Sequence, residues 1–502
     1  MPVPVLSAAE AAAWDAAARM AGGIPSRALM DAAGRAAAQV IATAAPVASL
    51  PLARHTALVA CGPGNNGGDG WVVARALRAV GWQVWASDLD RPRSPDNEAN
   101  RTLALAEGVT RLDPTAPWPD AAVVVDALLG TGAVGPPSDE IGALATRIAS
   151  LQAPIVALDG PTGLDLTTGV AHGPVRADLT VTFGGVRRGH LFARDWCGDI
   201  VVVDIGFPAP DPTLPWLVTD RWVAEHLPPI TSAMHKGDRG RILVVGGAVG
   251  MAGAVIHAAR AAFAAGAGLV KLAVAEASVS AVQANLPDAL VSTDLDADIA
   301  WADAIVLGPG IGRDAAAQRL VERVVTKARV PIVLDADALH QGGMAKGGKA
   351  GRVLTPHPGE FAAQFPGIAL DDPYDAVTRA AATCGASTAV LLKGVPTVIA
   401  ATGAPLRVVA RGNAGLATGG SGDILAGLIA MALARGLAPD VAAALGAHVL
   451  GRAVEIAATH VPVRSMRPDD VLAALPDVWR DLAAPARAVP PVLDVLPRPE
   501  TG

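Results

Sequence analysis

Short, continuously apolar runs rich in β-branched residues recur along this chain, each ending near a glycine turn and followed by an alanine-rich stretch with helical spacing. Ala57–Ala60, Val123–Val125, Ile155–Leu158, Ile242–Val245, Ala304–Leu307, Ile332–Leu334 and Ala389–Leu392 are the clearest examples. A strand that is apolar on consecutive residues has no face for water. Alternation with helices therefore predicts α/β architecture, with parallel sheets covered on both faces. At 502 residues the chain exceeds what one core accommodates, which predicts two or three domains. The proline-rich passage Phe207–Pro229 is the natural linker, giving expected domains at 1–218 and 224–490. The tail after Ala484 is also proline-rich and is expected to be ordered only in part.

Composition removes several classes of function. The net charge is −7, no lysine/arginine block occurs, and one Tyr with six Phe offers little for base stacking, so nucleic acid is not an expected partner. Cys61, Cys197 and Cys384 lie far apart without metal-ligand spacing, as is ordinary in a reducing cytoplasm. Met1–Gly23 lacks a basic region followed by a compact apolar run. Ser7 and Glu10 have instead the spacing of a capping box opening a helix. Ile242–Ala259 is uncharged and long enough for a minimal membrane span. Gly246, Gly247, Gly250 and Gly253 interrupt it, so it reads as strand, loop and helix. The expectation is a soluble, cytoplasmic protein with no membrane partner.

In the first half, Ala57–Ala60 runs into Cys61-Gly62-Pro63-Gly64-Asn65-Asn66-Gly67-Gly68-Asp69-Gly70 and then a helical stretch, Trp71–Val80. Strand, glycine loop and helix start can present free amides to an anion, with the helix dipole adding to the attraction. A glycine loop alone is equally compatible with a structural turn. Two asparagines and an aspartate inside it shift the balance towards binding. Two further strands end in aspartate, at Asp126 before Ala127–Gly132 and at Asp159 before Gly160–Gly163. Either could be a helix cap, but ligands of open α/β sheets bind beyond the carboxyl ends of strands, where both would sit.

The second half carries Gly412-Asn413-Ala414-Gly415-Leu416-Ala417-Thr418-Gly419-Gly420-Ser421-Gly422-Asp423, followed by the helical run Ile424–Ala434. Converging amides and a helix N-terminus make an anion hole. An aspartate beside it can take a hydroxyl proton as phosphate is transferred to that hydroxyl. No Walker lysine follows, so this is not a P-loop. Around it lie Leu243–Ala254, Leu307–Gly312, Leu334–Leu339, Leu354-Thr355-Pro356-His357-Pro358-Gly359-Glu360 and Leu391-Leu392-Lys393-Gly394.

Together, Ser26–Gly34, Gly62–Gly70, Asp126–Gly132 and Asp159–Gly163 resemble the NAD(P)H-hydrate epimerase domain over about the first 220 residues. That resemblance implies a Rossmann-like three-layer αβα domain. It places the hydrated dinucleotide at Asn65, Asn66, Gly67, Gly68 and Asp69, at Gly130, Thr131, Gly132, Ala133, Val134, Gly135 and Pro136, and at Asp159. It also implies potassium held by Asn66, Asp126 and Thr162, an all-oxygen set suited to a hard cation. Asp159 would be the proton-transfer residue. Ala224–Ala483 resembles the ribokinase-like ADP/ATP-dependent NAD(P)H-hydrate dehydratases, again a three-layer αβα fold. Here the resemblance implies substrate contacts at Ala254, Gly310, His357 and Asp423. Nucleotide contacts would fall at Lys393, Gly394, Val395, Pro396, Thr397 and Gly422. Asp423 would be the base, and Mg²⁺ would accompany ADP or ATP. Pro396 stands where that family often has Gly or Ala, removing one backbone donor. The pairing implies repair of damaged NADH and NADPH by a homo-oligomer, a tetramer or larger. The alternative is a ribokinase-like small-molecule kinase fused to a non-catalytic dinucleotide-binding module.

Overall fold

A computed structural model describes residues 2–44, 49–51, 54–341, 350–484 and 490–500. The chain divides into two compact units, with the change of unit between Leu214 and Pro215.

The sheet of the first unit runs in the order Val492–Leu496, Asp199–Val203, Leu179–Phe183, Ile155–Leu158, Val123–Ala127, Thr56–Cys61, Gln83–Asp88, Thr110–Leu112. All neighbours are parallel except Val492–Leu496, which is antiparallel to Asp199–Val203. Alternate residues of the central strands enter different cores. Ala57, Val59, Val123 and Val125 pack with the helices Ser26–Thr43 and Asn65–Ala79, while Leu58, Ala60 and Val124 pack with Asp139–Ala149. This gives three layers and explains the continuous apolar strands. From Thr56–Cys61 the chain builds outward through Gln83–Asp88 to Thr110–Leu112, then returns to place Val123–Ala127 on the other side. The order reverses there, and a crevice opens beyond the carboxyl ends of those two strands.

In the second unit the order is Leu290–Val291, Leu269–Ala273, Arg241–Val245, Ala304–Leu307, Ile332–Leu334, Arg352–Leu354, Thr388–Leu392, Thr397–Ala401, Arg407–Val409, Trp216–Leu217. Pairing is parallel as far as Thr388–Leu392. Thr397–Ala401 then runs antiparallel to both of its neighbours. Ala252–Ala264, Ser421–Ala434 and Pro439–Ala458 share one apolar core with the sheet. Gly427 marks the closest helix approach, since a Cβ there would lie 2.1 Å from the Ala258 carbonyl oxygen. Pro439–Ala458 is long and apolar enough to cross a membrane, but 72% of it is buried inside the protein, as befits a core helix.

The Ser7–Glu10 capping box forms as expected, with Ser7 N donating to Glu10 Oε2 at 2.7 Å and Glu10 N to Ser7 Oγ at 3.2 Å. Three expectations change. Both loop helices begin earlier than their apolar periodicity suggests, at Asn65 and Ser421, because Gly64 and Gly420 serve as N-caps without using a side chain. The Phe207–Pro229 passage is not all linker, since Trp216–Leu217 pairs with Arg407–Val409 and Asp220–His226 is helical. Finally, of the tail after Ala484, residues 485–489 lie outside the described residues, but Val492–Leu496 is an edge strand of the first unit. Its prolines flank the strand, where a missing amide costs no ladder bond. Arg194 Nη2 donates to Leu496 O at 3.4 Å, and Arg498 N donates to Asp199 Oδ1 at 2.6 Å.

Truncation after Ala484 is therefore expected to destabilise the first unit by about 3 kcal/mol or more, from lost ladder bonds and edge burial. Differential scanning calorimetry should show one transition moving down and the transition of the second unit staying in place.

Candidate functional sites

The crevice of the first unit holds a cavity of about 540 Å³. One wall is apolar, formed by Leu29, Met30, Trp14, Phe183, Ile205 and Phe207. The other is polar, formed by Asn65, Asn66, Asp69, Thr131, Asp159 and Arg187. Trp14 and Phe207 pack as a tilted pair with ring centroids 4.6 Å apart. An apolar body with a few convergent polar groups is the usual form of a small-ligand site.

Asp159 follows the last residue of Ile155–Leu158 and has φ +63°, a region Asp tolerates better than most side chains. Its Oδ2 accepts from Thr131 N at 2.7 Å and from the Thr131 hydroxyl, and its Oδ1 accepts from Arg187 Nη2 at 3.1 Å. Arg187 Nε donates to Thr131 Oγ1 at 3.0 Å, closing a triangle. Burial pushes the Asp159 carboxyl up, but Arg187 and the Thr131 bonds outweigh it and hold it below the ordinary carboxylate range. The opposite holds for Asp69 in the first helical turns. Burial, reinforced by Asp159 and Asp15, pushes that carboxyl well up. Asp69 also receives no hydrogen bond from any described residue that would hold it ionised. Two carboxyls lining one cavity are thus pushed in opposite directions.

Behind this wall, Asp126 Oδ1 accepts from Thr162 Oγ1 at 2.7 Å and Leu128 N at 3.2 Å, and Oδ2 accepts from Thr162 N at 2.8 Å. All three donors are neutral, and no described Lys, Arg or His pairs with this fully buried carboxylate. Asn66 donates Nδ2 to Leu129 O at 2.9 Å, while its buried Oδ1 has no partner. An orphaned carbonyl oxygen, an uncompensated carboxylate and a hydroxyl match the oxygen donors a potassium ion takes. Glycine is required nearby, because a Cβ on Gly130 would lie 2.9 Å from Asp159 Oδ2.

Of the residues expected at this site, Asn65, Asn66, Asp69, Gly130–Ala133 and Asp159 line the cavity. Gly67 and Gly68 do not. They lie in tight backbone packing, where a Cβ on Gly67 would fall 1.9 Å from Gly62 O. Val134, Gly135 and Pro136 also lie off the lining, with Val134 85% exposed. Arg187 was not expected. It sits on a two-residue strand, Val186–Arg187, directly after Gly184-Gly185, a glycine pair that could have marked it.

In the second unit Asp423 lies in the first turn of Ser421–Ala434, whose N-cap Gly420 has φ +104°. Burial, with Asp335 adding to it and Lys393 opposing, raises the Asp423 carboxyl to about 7. Asp335 Oδ1 accepts from Lys393 Nζ at 3.0 Å and Thr355 Oγ1 at 2.7 Å, and Glu360 Oε2 lies 3.7 Å from the same ammonium. Gly422 lies directly above this pair, since a Cβ there would be 3.5 Å from both Asp335 Oδ2 and Lys393 Nζ. His357 is a helix cap, its Nδ1 accepting from Gly359 N at 3.1 Å and Glu360 N at 3.3 Å. That assignment leaves Nε2 as the donor, 3.4 Å from Glu360 Oε1, with the side chain largely exposed. Gly310 (φ +58°) and Ala254 meet across neighbouring turns, a Cβ on Gly310 lying 3.4 Å from Ala254 Cβ. Of the 393–397 segment, Lys393 faces Asp335, while Val395 is 77% exposed, and the Thr397 hydroxyl donates to Gly394 O at 3.2 Å. Asp335 and Glu360 were not expected as site residues. They occupy strand-end strings that stood out, but their convergence on Lys393 spans 58 residues.

The comparisons with known proteins divide the chain at the same place. Residues 26–189 match the family described as YjeF-related protein N-terminus, and residues 242–477 match NAD(P)H-hydrate dehydratase. The bifunctional NAD(P)H-hydrate repair enzyme Nnr of Escherichia coli is 36% identical over 470 residues, covering 89% of this chain and 88% of that protein. Its counterpart from Moorella thermoacetica is 37% identical over 471 residues, covering 86% and 88%. Among solved structures, a hypothetical protein of Streptococcus mutans superposes with TM-score 0.50 and 26% identity, covering 53% of this chain and 99% of its own.

The Asp423 environment makes a direct prediction. Carboxyl titration followed by isotope-edited infrared spectroscopy should show an inflection near 7. Asp335→Asn removes the negative charge that favours protonation and frees Lys393, so the inflection moves to lower pH. Lys393→Ala removes the opposing cation, so it moves higher.

Proposed function

The chain belongs to the bifunctional NAD(P)H-hydrate repair enzymes, and from that premise we propose how its residues divide the epimerisation and the dehydration between a Rossmann-like first unit and a ribokinase-like second unit. Both reactions act on one ring carbon, which carries the added hydroxyl next to the ring nitrogen. The lone pair of that nitrogen can expel the oxygen once the oxygen is made a better leaving group.

In the first unit the hydrated ring would lie against Trp14, Met30 and Phe207 and face the two carboxyls. Asp69 in its acid form gives a proton to the leaving hydroxyl, and water departs as the ring nitrogen forms an iminium. Water adding from the opposite face loses its proton to Asp159, giving the other epimer. Arg187 and Thr131 keep Asp159 ionised and aimed. Asn66, Asp126 and Thr162 would hold potassium, whose charge compensates Asp126 and fixes the loop that presents Asn65 and Asn66. The polar cradle at Asn65, Asn66 and Gly130–Ala133 would take the pyrophosphate and ribose.

In the second unit Asp423 takes the proton of the hydroxyl as the terminal phosphoryl of ADP or ATP passes to that oxygen. The ring nitrogen then expels phosphate, and loss of the neighbouring ring proton restores the dihydronicotinamide. Asp423 in the first turn of Ser421–Ala434, with Gly422 against Lys393 and Asp335, is the observation that carries the proposal, and a carboxyl raised to about 7 is matched to neutral pH. Amides at the start of Ser421–Ala434 receive the transferring phosphoryl. Lys393, now bonded to Asp335, lies within reach of a phosphate at Gly422. His357 would donate Nε2–H to the substrate, and Ala254 and Gly310 would form its floor. No group of three or more described His, Cys, Asp or Glu side chains forms a metal cage. Magnesium would therefore enter on the nucleotide phosphates. We place ADP and ATP together as donors.

Mixed hydrate epimers with ADP or ATP test this division. The intact chain should recover the full reduced-nicotinamide absorbance. Asp423→Asn should lower recovery of either epimer by about 10³-fold or more. Asp159→Asn should leave the S-epimer rate intact while the R epimer persists. Phosphorylation of an unrelated alcohol with no recovery from the hydrates would overturn the reading. In the same assay Asp126→Asn should abolish any stimulation of epimerisation by potassium over sodium.

A further inference from the structure

In a Rossmann-like sheet, the strand following the phosphate loop and its helix ends beside the adenosine ribose. An acidic residue there bonds the ribose 2′-hydroxyl, whereas arginine accommodates a 2′-phosphate. In the first unit this strand is Gln83–Asp88, with Asp88 opposite Cys61 on the strand that leads into the glycine loop. Asp88 thus stands where a ribose-binding carboxylate would. It is not available for that task. Its side chain is 1% exposed, Oδ2 accepts from Arg93 Nη2 at 2.7 Å and Arg101 Nε at 2.8 Å, and Oδ1 accepts from Arg111 Nε at 2.6 Å.

One forked guanidinium would be enough to balance the charge of this carboxylate, and here three converge on it. Glu98 lies 3.2 Å from Arg93 and 3.4 Å from Arg101, and Asp90 and Asp113 act on Arg111, so the cluster offers a phosphate unspent guanidinium N–H groups rather than net charge. Arg111 spends only Nε on Asp88, and 37% of its side chain remains exposed. The strand that carries Arg111 needs no such cluster to stay in place, because Thr110–Leu112 is paired along its length with Trp85–Ser87.

The cluster also adjoins the cavity. Ser94 N, next to Arg93, donates to Pro63 O at 3.2 Å, and Asn97 Nδ2 donates to Gly62 O at 3.0 Å and Gly64 O at 2.6 Å. Pro63 and Gly64 form the cavity rim. A dinucleotide with its reacting ring at Asp159 and its pyrophosphate over Gly64–Asn66 would extend its adenosine towards this side of the reversal in strand order. We infer that the first unit selects the 2′-phosphorylated hydrate, with Arg111 and Arg101 receiving the phosphate and Asp88 holding the guanidinium groups in place. This rests on the first unit being the epimerising one.

The test uses the intact chain without ADP or ATP, so that the second unit is silent. Purified R epimers of the NADH and NADPH hydrates are followed to their S epimers by chromatography. Wild type should show the higher kcat/KM with the NADPH hydrate. Arg111→Ala and Arg101→Ala should each lower that value about tenfold or more through KM, as loss of a charged hydrogen bond implies, and leave the NADH hydrate unaffected. Arg111→Lys should restore part of the preference. With wild type, 2′-AMP should inhibit more strongly than 5′-AMP, and the difference should vanish in the alanine variants. Equal losses on both hydrates, or an unchanged ratio, would overturn the assignment. Epimerisation of neither hydrate by wild type would instead remove the function of the unit itself.

Discussion

Strands buried on both faces can show polar groups only at their ends, and nearly everything chemical in this protein follows from that constraint. Val123–Ala127 and Ile155–Leu158 are buried at every position. Asp126 and Asp159 therefore emerge only where the strands finish, beside the first turns of Asn65–Ala79. The second unit repeats the solution, with Asp335 at the end of Ile332–Leu334 and Asp423 at the start of Ser421–Ala434. The apolar layers thus fix where each carboxyl stands, while its neighbours decide what it does.

Those neighbours work in opposite directions. Burial penalises ionisation at both Asp159 and Asp423. At Asp159 a guanidinium and two bonds from one threonine reverse the penalty. At Asp423 the nearest cation, Lys393, is already committed to Asp335, whose charge adds to the penalty. The result is a carboxylate in one unit and a group balanced near neutrality in the other. An ionised Asp159 suits water capture by an iminium, and a balanced Asp423 suits removal of a hydroxyl proton. The same side chain takes two characters because its ion-pair and hydrogen-bond partners differ.

What the sequence made legible was whatever repeats locally. Ile155–Leu158, Ala304–Leu307 and Ile332–Leu334 coincide with their apolar runs, because a strand buried on both faces leaves no ambiguity of period. Asp126 and Asp159 stood out as polar residues at the end of such runs, and Asp423 as the aspartate closing a glycine string before a helix. Arg187 did not, since its role comes from meeting Thr131 and Asp159 across 56 and 28 residues of chain. Asp335, Glu360 and Lys393 likewise find each other only once the strands align. The edge strand Val492–Leu496 was hidden by its prolines, which mark irregular chain locally yet stand outside the paired residues. The early helix starts were hidden by glycine, a poor helix former that here allows close packing. A Cβ on Gly70 would lie 2.6 Å from Ala127 Cβ.

Backbone geometry gives the last link between fold and chemistry. Among the described residues, the non-glycine positions with positive φ are Asp159 (+63°) and Ala336 (+49°), the first a carboxyl lining the cavity and the second the residue after Asp335. Such conformations cost on the order of 1 kcal/mol or more and persist where surrounding contacts impose them. At Asp159 the amide donates to Val181 O at 2.8 Å and the carboxyl is held by Thr131 and Arg187, so backbone and side chain are fixed independently. A residue leaving its strand along an ordinary extended path would project to one face of the sheet, into apolar packing. The left-handed turn redirects it across the end of the sheet, towards the cavity. Strain at this position is thus the geometric condition for bringing a carboxylate from a doubly buried strand to a substrate.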